Sequence, residues 1–393
     1  MTIPLEHQPP VRLFFESLDS SGSEILDLIR KLVETESPSG DVEGSKAVVD
    51  ILVDEAGHLD CVTSIERIPS PDSGEHLLIR AFDEFSSVVE PSPLLLLGHT
   101  DTVHPRGSIK ELSWREEGGK IYGPGIFDMK ANCALALWAL NTCYACRGSP
   151  KRPVTLLLTC DEEIGSATGR ALVEKEARGA AQVLVLEPPA PGQRVKTARK
   201  GTGMYTLAVS GRAAHAGLEP EKGASAILEI ARQIEQLHRL NDPASGISVN
   251  VGVVSGGTRS NVVAAEAHAE IDVRFCTNAD AEYLNREIKN LKPFDERVSL
   301  AVKGGINRPP LERTNNVAML YEHAKRVAGA LGFELGEASV GGASDGNFAA
   351  AVGATVLDGL GVDGDGAHSD HEHIIAADLP RRGALLAGLI ASL

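Results

Sequence analysis

Aromatic residues, cysteines and long apolar runs are all scarce in this 393-residue sequence. Phenylalanine, tyrosine and tryptophan together make up 4% of the chain, and its six cysteines are scattered. Six cysteines spread over a chain of this length do not make a disulfide framework. No apolar run approaches the roughly 20 residues that a membrane-spanning helix needs. These shortages exclude a small disulfide-stapled scaffold and a helical membrane protein.

Positive charge is also in short supply. The 38 lysines and arginines are outnumbered by 54 aspartates and glutamates, which gives a formal net charge of −16. Such an excess of negative charge argues against nucleic acid or an anionic membrane as a partner. The first segment, Met1–Pro10, has neither the basic region nor the apolar core of a secretory signal. We therefore expect a cytoplasmic protein that acts on a small molecule.

Apolar strands alternate with helices from residue 22 to residue 186. The pattern predicts helices at 22–35, 42–56, 131–146 and 166–178, and strands at 62–68, 77–81, 94–98, 153–159 and 182–186. This alternation is typical of an α/β layer with a mostly parallel sheet.

The pattern changes near Ala198, where the order of elements becomes β-α-β-β-α-β. Strands are expected at 204–210, 247–254, 262–275 and 298–302, with helices at 224–240 and 279–291. That order is the ferredoxin-like arrangement of an open sheet with helices on one face. Helices at 316–331 and 380–393 then restore the α/β character. We expect a first domain built from residues 1–198 and 312–393, with a ferredoxin-like α+β domain, residues 199–311, inserted into it.

The stretch Leu94-Leu-Leu-Leu-Gly-His-Thr-Asp-Thr-Val103 ends a buried strand in polar residues. In extended backbone His99 and Asp101 project to the same side. The pair has the make-up of a metal ligand and a carboxylate that fixes its tautomer. Taken alone, it is more typical of a hydrogen-bonded histidine in a strand-to-loop turn.

Ionisable groups also follow the neighbouring strands and turns: Asp128, the pair Glu162-Glu163, Glu187 and, far downstream, His368. In open α/β sheets, ligands bind outside the carboxyl ends of the strands. Carboxylates gathered there repel one another unless a cation neutralises them, and two histidines with several carboxylates suit zinc or a similar divalent ion. Because Glu162 and Glu163 are adjacent, one could bind metal while the other serves as a base. A solvated acidic turn is the alternative for this pair.

Seven motifs in order along the chain resemble those of the M20 family of metallopeptidases and amidohydrolases, and within it the carboxypeptidase G2-type glutamate carboxypeptidases. They are Gly98-His-Thr-Asp-Thr-Val103, Tyr122-Gly-Pro-Gly-Ile-Phe-Asp-Met-Lys130, Asp161-Glu-Glu-Ile-Gly-Ser166, Leu186-Glu-Pro188, Ser210-Gly-Arg-Ala-Ala-His-Ala-Gly217, Gly256-Gly-Thr-Arg-Ser-Asn-Val-Val263 and His368-Ser-Asp370.

This resemblance implies a di-metal, aminopeptidase-like catalytic domain that binds two divalent ions, zinc or alternatively cobalt or manganese. The implied ligands are His99 and Glu187 for one ion, Glu163 and His368 for the other, and Asp128 as the bridge. The resemblance further implies that Asp101 orients His99 and that Glu162 is the general base. It also implies a cis peptide bond between Asp128 and Met129.

For the inserted domain, the resemblance implies a lid that also forms a homodimer interface. His215 would stabilise the oxyanion in the partner subunit's site. Asn261 and Arg274 would bind the carboxylate of the substrate, with help from Arg308. The glycine-rich loop at Gly342 would let the backbone approach the substrate.

The expected activity is hydrolysis of an amide or peptide bond next to a free carboxylate. A carboxypeptidase that releases a C-terminal amino acid such as glutamate is the first candidate. The alternative is an N-acyl-amino-acid deacylase of the acetylornithine deacetylase or succinyl-diaminopimelate desuccinylase type. A relative that has lost catalysis and only binds a ligand is the third.

Overall fold

The computed structural model describes residues 10–83, 92–148 and 150–393, and the chain divides into two compact units. The first unit contains the residues up to Thr197, together with Arg313–Ser339 and Ser344–Leu393. The second contains Ala198–Glu312 and the short segment Val340–Ala343, which the sequence-based division keeps with residues 312–393. Most of the segment Met1–Pro10 lies outside the described residues.

The helices are numbered in chain order. They are α1 (Val11–Ser20), α2 (Gly22–Glu34), α3 (Val42–Gly57), α4 (Ala131–Ala145), α5 (Gly169–Gly179), α6 (Ala226–His238), α7 (Asn278–Lys289), α8 (Asn315–Ala330), α9 (Gly346–Ala351) and α10 (Leu379–Ser392). Among the residues that the structure describes, none of the helices combines the length and the apolar character needed to cross a bilayer.

The strands are numbered in the same way. They are β1 (Val62–Ser70), β2 (Gly74–Ala81), β3 (Leu94–His99), β4 (Arg115–Glu117), β5 (Lys120–Tyr122), β6 (Val154–Thr159), β7 (Gln182–Val185), β8 (Val195–Arg199), β9 (Gly201–Ser210), β10 (Ser248–Gly256), β11 (Glu266–Phe275), β12 (Ser299–Arg308), β13 (Glu337–Val340), β14 (Val356–Leu357), β15 (Gly364–Asp365) and β16 (His373–Ile375).

The first unit is built around a six-stranded sheet in the order β1-β2-β6-β3-β7-β14. Strands β6, β3, β7 and β14 run parallel to one another, whereas the β1–β2 and β2–β6 pairings are antiparallel. Every residue of β3 and β6 is buried, as expected of central strands that are covered on both faces. The predicted mostly parallel α/β sheet is confirmed.

Helix α2 illustrates how the apolar pattern fixes the packing of the first unit. Its apolar residues Ile25, Leu28, Ile29, Leu32 and Val33 recur at helical spacing, and all five are buried. The helix packs against α4, which in turn packs against α10. This helical layer covers the sheet that carries the site described below.

The second unit has the ferredoxin-like order that the sequence predicts. Its four strands form an antiparallel sheet in the order β10-β11-β9-β12, with α6 and α7 contributing to its core. Buried and exposed residues alternate along β11, so one face of the sheet packs against the helices.

Strand β12 is longer than predicted. The sequence pattern predicts a strand over 298–302, but the strand runs from Ser299 beside β9 as far as Arg308. Gly304 has φ of +98°, and a Cβ at this position would lie 2.1 Å from the Met204 carbonyl oxygen. Glycine is therefore what allows the two strands to remain paired here.

Candidate metal centre

Three parallel strands of the first unit end at the same edge of the sheet, and each delivers an ionisable residue there. Strand β3 ends at His99, the turn after β6 carries Glu162 and Glu163, and Glu187 follows β7. Glu162 and Glu163 begin a short 3-10 turn. The carboxyl edge of a parallel sheet is where ligands bind in α/β proteins.

Asp128 lies between the two histidines. Its Oδ1 is 3.2 Å from Nε2 of His99, and its Oδ2 is 3.4 Å from Nε2 of His368. One carboxylate therefore presents a separate oxygen to each imidazole. The peptide bond from Asp128 to Met129 is cis.

Each histidine also faces a second carboxylate. His99 Nε2 is 3.5 Å from Glu187 Oε1, and His368 Nε2 is 3.2 Å from Glu163 Oε2. Ligand atoms of His99, Asp128 and Glu163 all lie within 4.8 Å of one another. The structure thus brings together all five residues that the sequence analysis nominates as metal ligands.

The pKa values in this cluster reflect burial and the close packing of acids against imidazoles. Burial opposes protonation of His99, but contacts with Asp101, Asp128 and Glu187 outweigh it and raise its pKa well above the ordinary value. Hydrogen bonds to Asp128 and Glu163 raise the pKa of His368 to about 10. Burial opposes ionisation of Asp128, yet the two histidines hold its pKa far below the usual range. A divalent cation would compete with protons for these two imidazole nitrogens.

Glu163 gives the most direct evidence that the cluster suits a cation. Burial raises the pKa of its carboxyl group, against the opposing effect of His368. Its Oε1 is buried and, among the described residues, has no hydrogen-bond partner. A buried carboxylate oxygen without a donor is costly, and a metal ion would satisfy it. Two imidazole nitrogens with three carboxylates are also the donor set that zinc accepts. These residues fit a pair of divalent ions.

Asp101 contacts more than His99. Its Oδ1 is 3.5 Å from His99 Nδ1, whereas its own carbonyl oxygen lies closer to that nitrogen, at 3.0 Å. The carboxylate accepts hydrogen bonds from the backbone N–H of Glu162 (3.1 Å) and of Glu163 (3.2 Å), and from the Ser39 hydroxyl (2.6 Å). Burial opposes its ionisation, but contacts with His99, Ser39 and the Glu163 amide hold its pKa below the usual value. Asp101 therefore ties the strand of His99 to the turn that carries the two glutamates.

Sequence reasoning missed Ser39 as a contributor to this site. Ser39 lies 62 residues before Asp101, in the break between α2 and α3. Its only signal in the sequence is the turn-forming run Ser37-Pro-Ser-Gly40, which does not indicate the residue it contacts.

In the second unit, the loops of His215 and Asn261 lie side by side. His215 forms a β-bridge with Val262, and the N–H of Ala216 donates to the Asn261 carbonyl at 3.0 Å. The exposed His215 ring accepts at Nδ1 from the N–H groups of Gly217 and Leu218, both at 3.2 Å. These bonds leave Nε2 as the protonated nitrogen of the neutral ring, a donor suited to an oxygen ligand.

Arg274 and Arg308 flank the same residue of the central strand. Arg274 on β11 and Arg308 on β12 both pair in register with Thr202 on β9. Directly paired residues of neighbouring antiparallel strands share a face of the sheet. Arg274 forms a two-bond fork to Asp272, at 2.9 and 3.0 Å, and Arg308 is buried. The Gly342 carbonyl accepts a hydrogen bond from Arg199 at 3.2 Å.

The sequence is similar to those of known amide hydrolases. The model of peptidase family M20/M25/M40 matches residues 95–392. Carboxypeptidase G2 of Pseudomonas sp. (strain RS-16) is 29% identical over 391 residues, which cover 97% of this chain and 92% of the relative. Succinyl-diaminopimelate desuccinylase of Verminephrobacter eiseniae (strain EF01-2) is 30% identical over 310 residues, covering 73% of this chain and 75% of the relative.

The fold is also found among solved structures. The Bacillus subtilis YXEP protein, a dinuclear metal-binding peptidase of the M20 family, superposes with a TM-score of 0.66 at 15% identity. The match covers 95% of this chain and 98% of that one. At this identity the likeness shows a shared fold and leaves the substrate open.

Proposed function

Because the chain belongs to peptidase family M20/M25/M40 and is thus a metal-dependent hydrolase, we propose that it uses two metal ions to cleave an amide or peptide bond next to a free carboxylate. The observation that carries this proposal is the position of Asp128, whose two oxygens face two different histidines. A carboxylate placed in this way suits a bridge between two ions about 3.5–4 Å apart.

His99 and Glu187 would hold one ion, Glu163 and His368 the other, and Asp128 both. The paired distances of 3.2–3.5 Å between these imidazole nitrogens and carboxylate oxygens support this division. When bound, two divalent ions supply Lewis-acid polarisation of a carbonyl group and activation of water. Zinc is the proposed metal because it accepts both imidazole and carboxylate ligands, with cobalt or manganese as alternatives.

Glu162 is the proposed general base. It lies next to Glu163 in the same 3-10 turn, and its backbone is held by Asp101. Its carboxylate would accept a proton from the attacking water and then pass it to the leaving amine. The neighbouring Glu163 would bind metal, so the two glutamates of the pair would have different roles.

The second unit would bind the substrate. The positions of Arg274 and Arg308 on either side of Thr202 support a site for a carboxylate, since a guanidinium binds a carboxylate through two parallel hydrogen bonds. Asn261 and the backbone at Gly342 would add polar contacts. His215, held by its own loop, would donate to the oxyanion.

Two substrate classes fit this chemistry. Similarity to carboxypeptidase G2 over 97% of this chain favours a peptidyl or acyl amino acid from which a C-terminal residue such as glutamate is released. Similarity to the desuccinylase favours an N-acyl amino acid whose acyl group is removed. Both classes place a free carboxylate beside the scissile amide. A relative that binds ligand without catalysis remains the alternative if no member of either class is cleaved.

A homodimer formed through the second unit is also proposed. Strand β10 lies at the edge of its sheet and exposes Val253 and Val254, which are 52% and 50% exposed. On the first turn of α6, Ile227 and Leu228 are 46% and 54% exposed. An edge strand with exposed apolar residues is a template for pairing with another chain.

The cytoplasm is the proposed compartment because all six cysteines are unpaired.

A hydrolysis screen tests this proposal. Purified protein loaded with zinc, cobalt or manganese is offered peptidyl and N-acyl forms of glutamate, aspartate and aliphatic amino acids, and the released amine is measured. We expect turnover with zinc that is lost in Glu162→Gln, with both ions retained. Full zinc occupancy without turnover of any substrate would favour the ligand-binding alternative. Zinc binding by His99→Ala and Glu163→Ala at the wild-type level would contradict the ligand assignment.

A further inference from the structure

Glu372 is a buried carboxylate that receives four hydrogen bonds. Its Oε1 accepts from the backbone N–H of Phe127 (2.8 Å) and of Asp128 (2.9 Å). Its Oε2 accepts from the N–H of Gly125 (2.9 Å) and from His104 Nε2 (2.6 Å). Only 3% of the residue is exposed. One side chain thus supplies acceptors to three amides of the turn that carries Asp128.

This turn cannot satisfy those amides by itself. Asp128 and Met129 have non-helical backbone angles, with φ, ψ of −120°, 89° and −140°, 38°. Gly125, at φ of +68°, begins the turn in the left-handed region. Amides in such a segment lack the regular i to i−4 acceptors of a helix, and buried N–H groups without acceptors are costly. The carboxylate of Glu372 therefore stabilises this conformation of the turn.

Glu372 also lies on the loop that carries His368. His368 is four residues earlier, and the strand β16 that follows Glu372 pairs with β5, placing His373 opposite Tyr122. The backbone carbonyl of Glu372 accepts from the N–H of Gly123 at 3.3 Å. The segments of Asp128 and His368 are thus joined by both the backbone and the side chain of one residue.

His104 brings in a third segment. It follows His99 by five residues and is 9% exposed. Its contact with Glu372 links the loop after β3 to the other two segments. All four hydrogen bonds to Glu372 come from N–H donors, so both of its oxygens are already occupied. Glu372 is placed to support the ligand cluster and not to join it.

We propose that Glu372, supported by His104, is a positioning residue that sets the spacing of Asp128 and His368 in the two-metal site, an inference that rests on the function proposed above. When a residue that hydrogen-bonds to a metal ligand and orients it is replaced, metal affinity typically falls by about 10–100-fold. The effect of Glu372 would be transmitted through the backbone of the Asp128 turn.

The test measures zinc binding, with zinc alone as the probe, by competition with a chromophoric chelator and by metal analysis. Glu372→Gln keeps the shape of the side chain but turns one acceptor into a donor. We expect the affinity for the second zinc equivalent to fall about 10–100-fold. His104→Phe, which removes the donor, should weaken zinc binding in the same direction, and His104→Gln, which keeps an N–H donor, should restore part of the loss.

Glu229→Gln is the matched control. Glu229 is a buried glutamate of the second unit that accepts from the N–H of Phe294 (2.9 Å) and of Asp295 (3.2 Å), and from Gln233 (2.8 Å). Its replacement should lower stability and leave zinc affinity at the wild-type value. Unchanged zinc affinity in Glu372→Gln would overturn this inference alone. If that variant does not fold, unchanged zinc affinity in His104→Phe would have the same meaning. A loss of zinc affinity in Glu229→Gln as large as that in Glu372→Gln would also overturn it. A wild-type protein that binds no zinc would overturn the proposed function and this inference with it.

Discussion

Replacing Asp101 with asparagine should uncouple the turn of Glu162 and Glu163 from the strand of His99. The carboxylate is 2% exposed, and its three hydrogen-bond partners are all donors. Asparagine has the same shape but offers one acceptor oxygen and one N–H₂ donor. In either orientation of the amide, one backbone N–H of the glutamate pair therefore faces another donor.

The magnitude follows from the contacts. If the amide nitrogen replaces Oδ2, the Ser39 hydroxyl can rotate and accept, but the Glu163 N–H loses its acceptor. An unsatisfied buried donor costs about 1–3 kcal/mol, and hydrogen bonds to a neutral acceptor are weaker than those to a charged one. We expect Asp101→Asn to lower the free energy of unfolding by about 2–4 kcal/mol. Displacement of the ligand turn should lower zinc affinity or kcat by about 10–100-fold.

Urea unfolding, zinc competition and steady-state kinetics of the same preparations measure these effects. Ser39→Ala is the control, because it removes the hydroxyl contact and leaves both amide contacts with Asp101 intact. It should cost about 1–3 kcal/mol of stability and retain zinc affinity. If Asp101→Asn binds two zinc ions with wild-type affinity and turns over at the wild-type rate, Asp101 does not hold the ligand turn and the reasoning is wrong.

Three further predictions concern the metal, pH and the exposed edge strand. Zinc at about 100 times its dissociation constant should raise the free energy of unfolding by about 2.7 kcal/mol per site, and chelation should remove this gain, as thermal unfolding would report. In metal-free protein the pKa of His368 is raised to about 10. The protonated side chain therefore stabilises the fold fully below pH 6.5, which is about the pKa of histidine in the unfolded chain, and this contribution is lost as the pH rises towards 10. Across this pH range the urea midpoint of unfolding should fall less steeply with pH in His368→Gln than in the wild-type protein. An equal dependence on pH in the two proteins would contradict the raised pKa. Val253→Lys on β10 should convert a dimer to a monomer in light scattering, whereas Lys303→Glu on β12 should not.

The apolar pattern was sufficient to predict the central sheet and the edge at which its ionisable residues gather. The four leucines Leu94–Leu97 and the three leucines Leu156–Leu158 are typical of central strands covered on both faces, and the polar residues that follow then lie at their carboxyl ends. The presence of His99, Glu163 and Glu187 at one edge follows from that geometry. The β-α-β-β-α-β order of the second unit was also predictable, because apolar and polar residues alternate along strands such as β11.

Contacts between distant loops were not predictable in this way. The four bonds of Glu372 depend on three segments that meet only after the chain has folded, and 244–268 residues separate it from its partners. The short strands β4, β5, β15 and β16 contain two or three residues each, too few to show any periodicity. Helix α9 has six residues, which are likewise too few to show a helical periodicity in the sequence. Local pattern identifies which residues reach the site, whereas the contacts that hold them there are a property of the tertiary structure.

The central claim is that Asp128 bridges two ions, each held by one histidine and one further glutamate. Anomalous diffraction at the zinc edge from zinc-loaded crystals tests it most directly. The account predicts two peaks about 3.5–4 Å apart, one beside His99 and Glu187 and the other beside Glu163 and His368, with Asp128 between them. A single peak, or two peaks of which one lies away from Asp128, would contradict it.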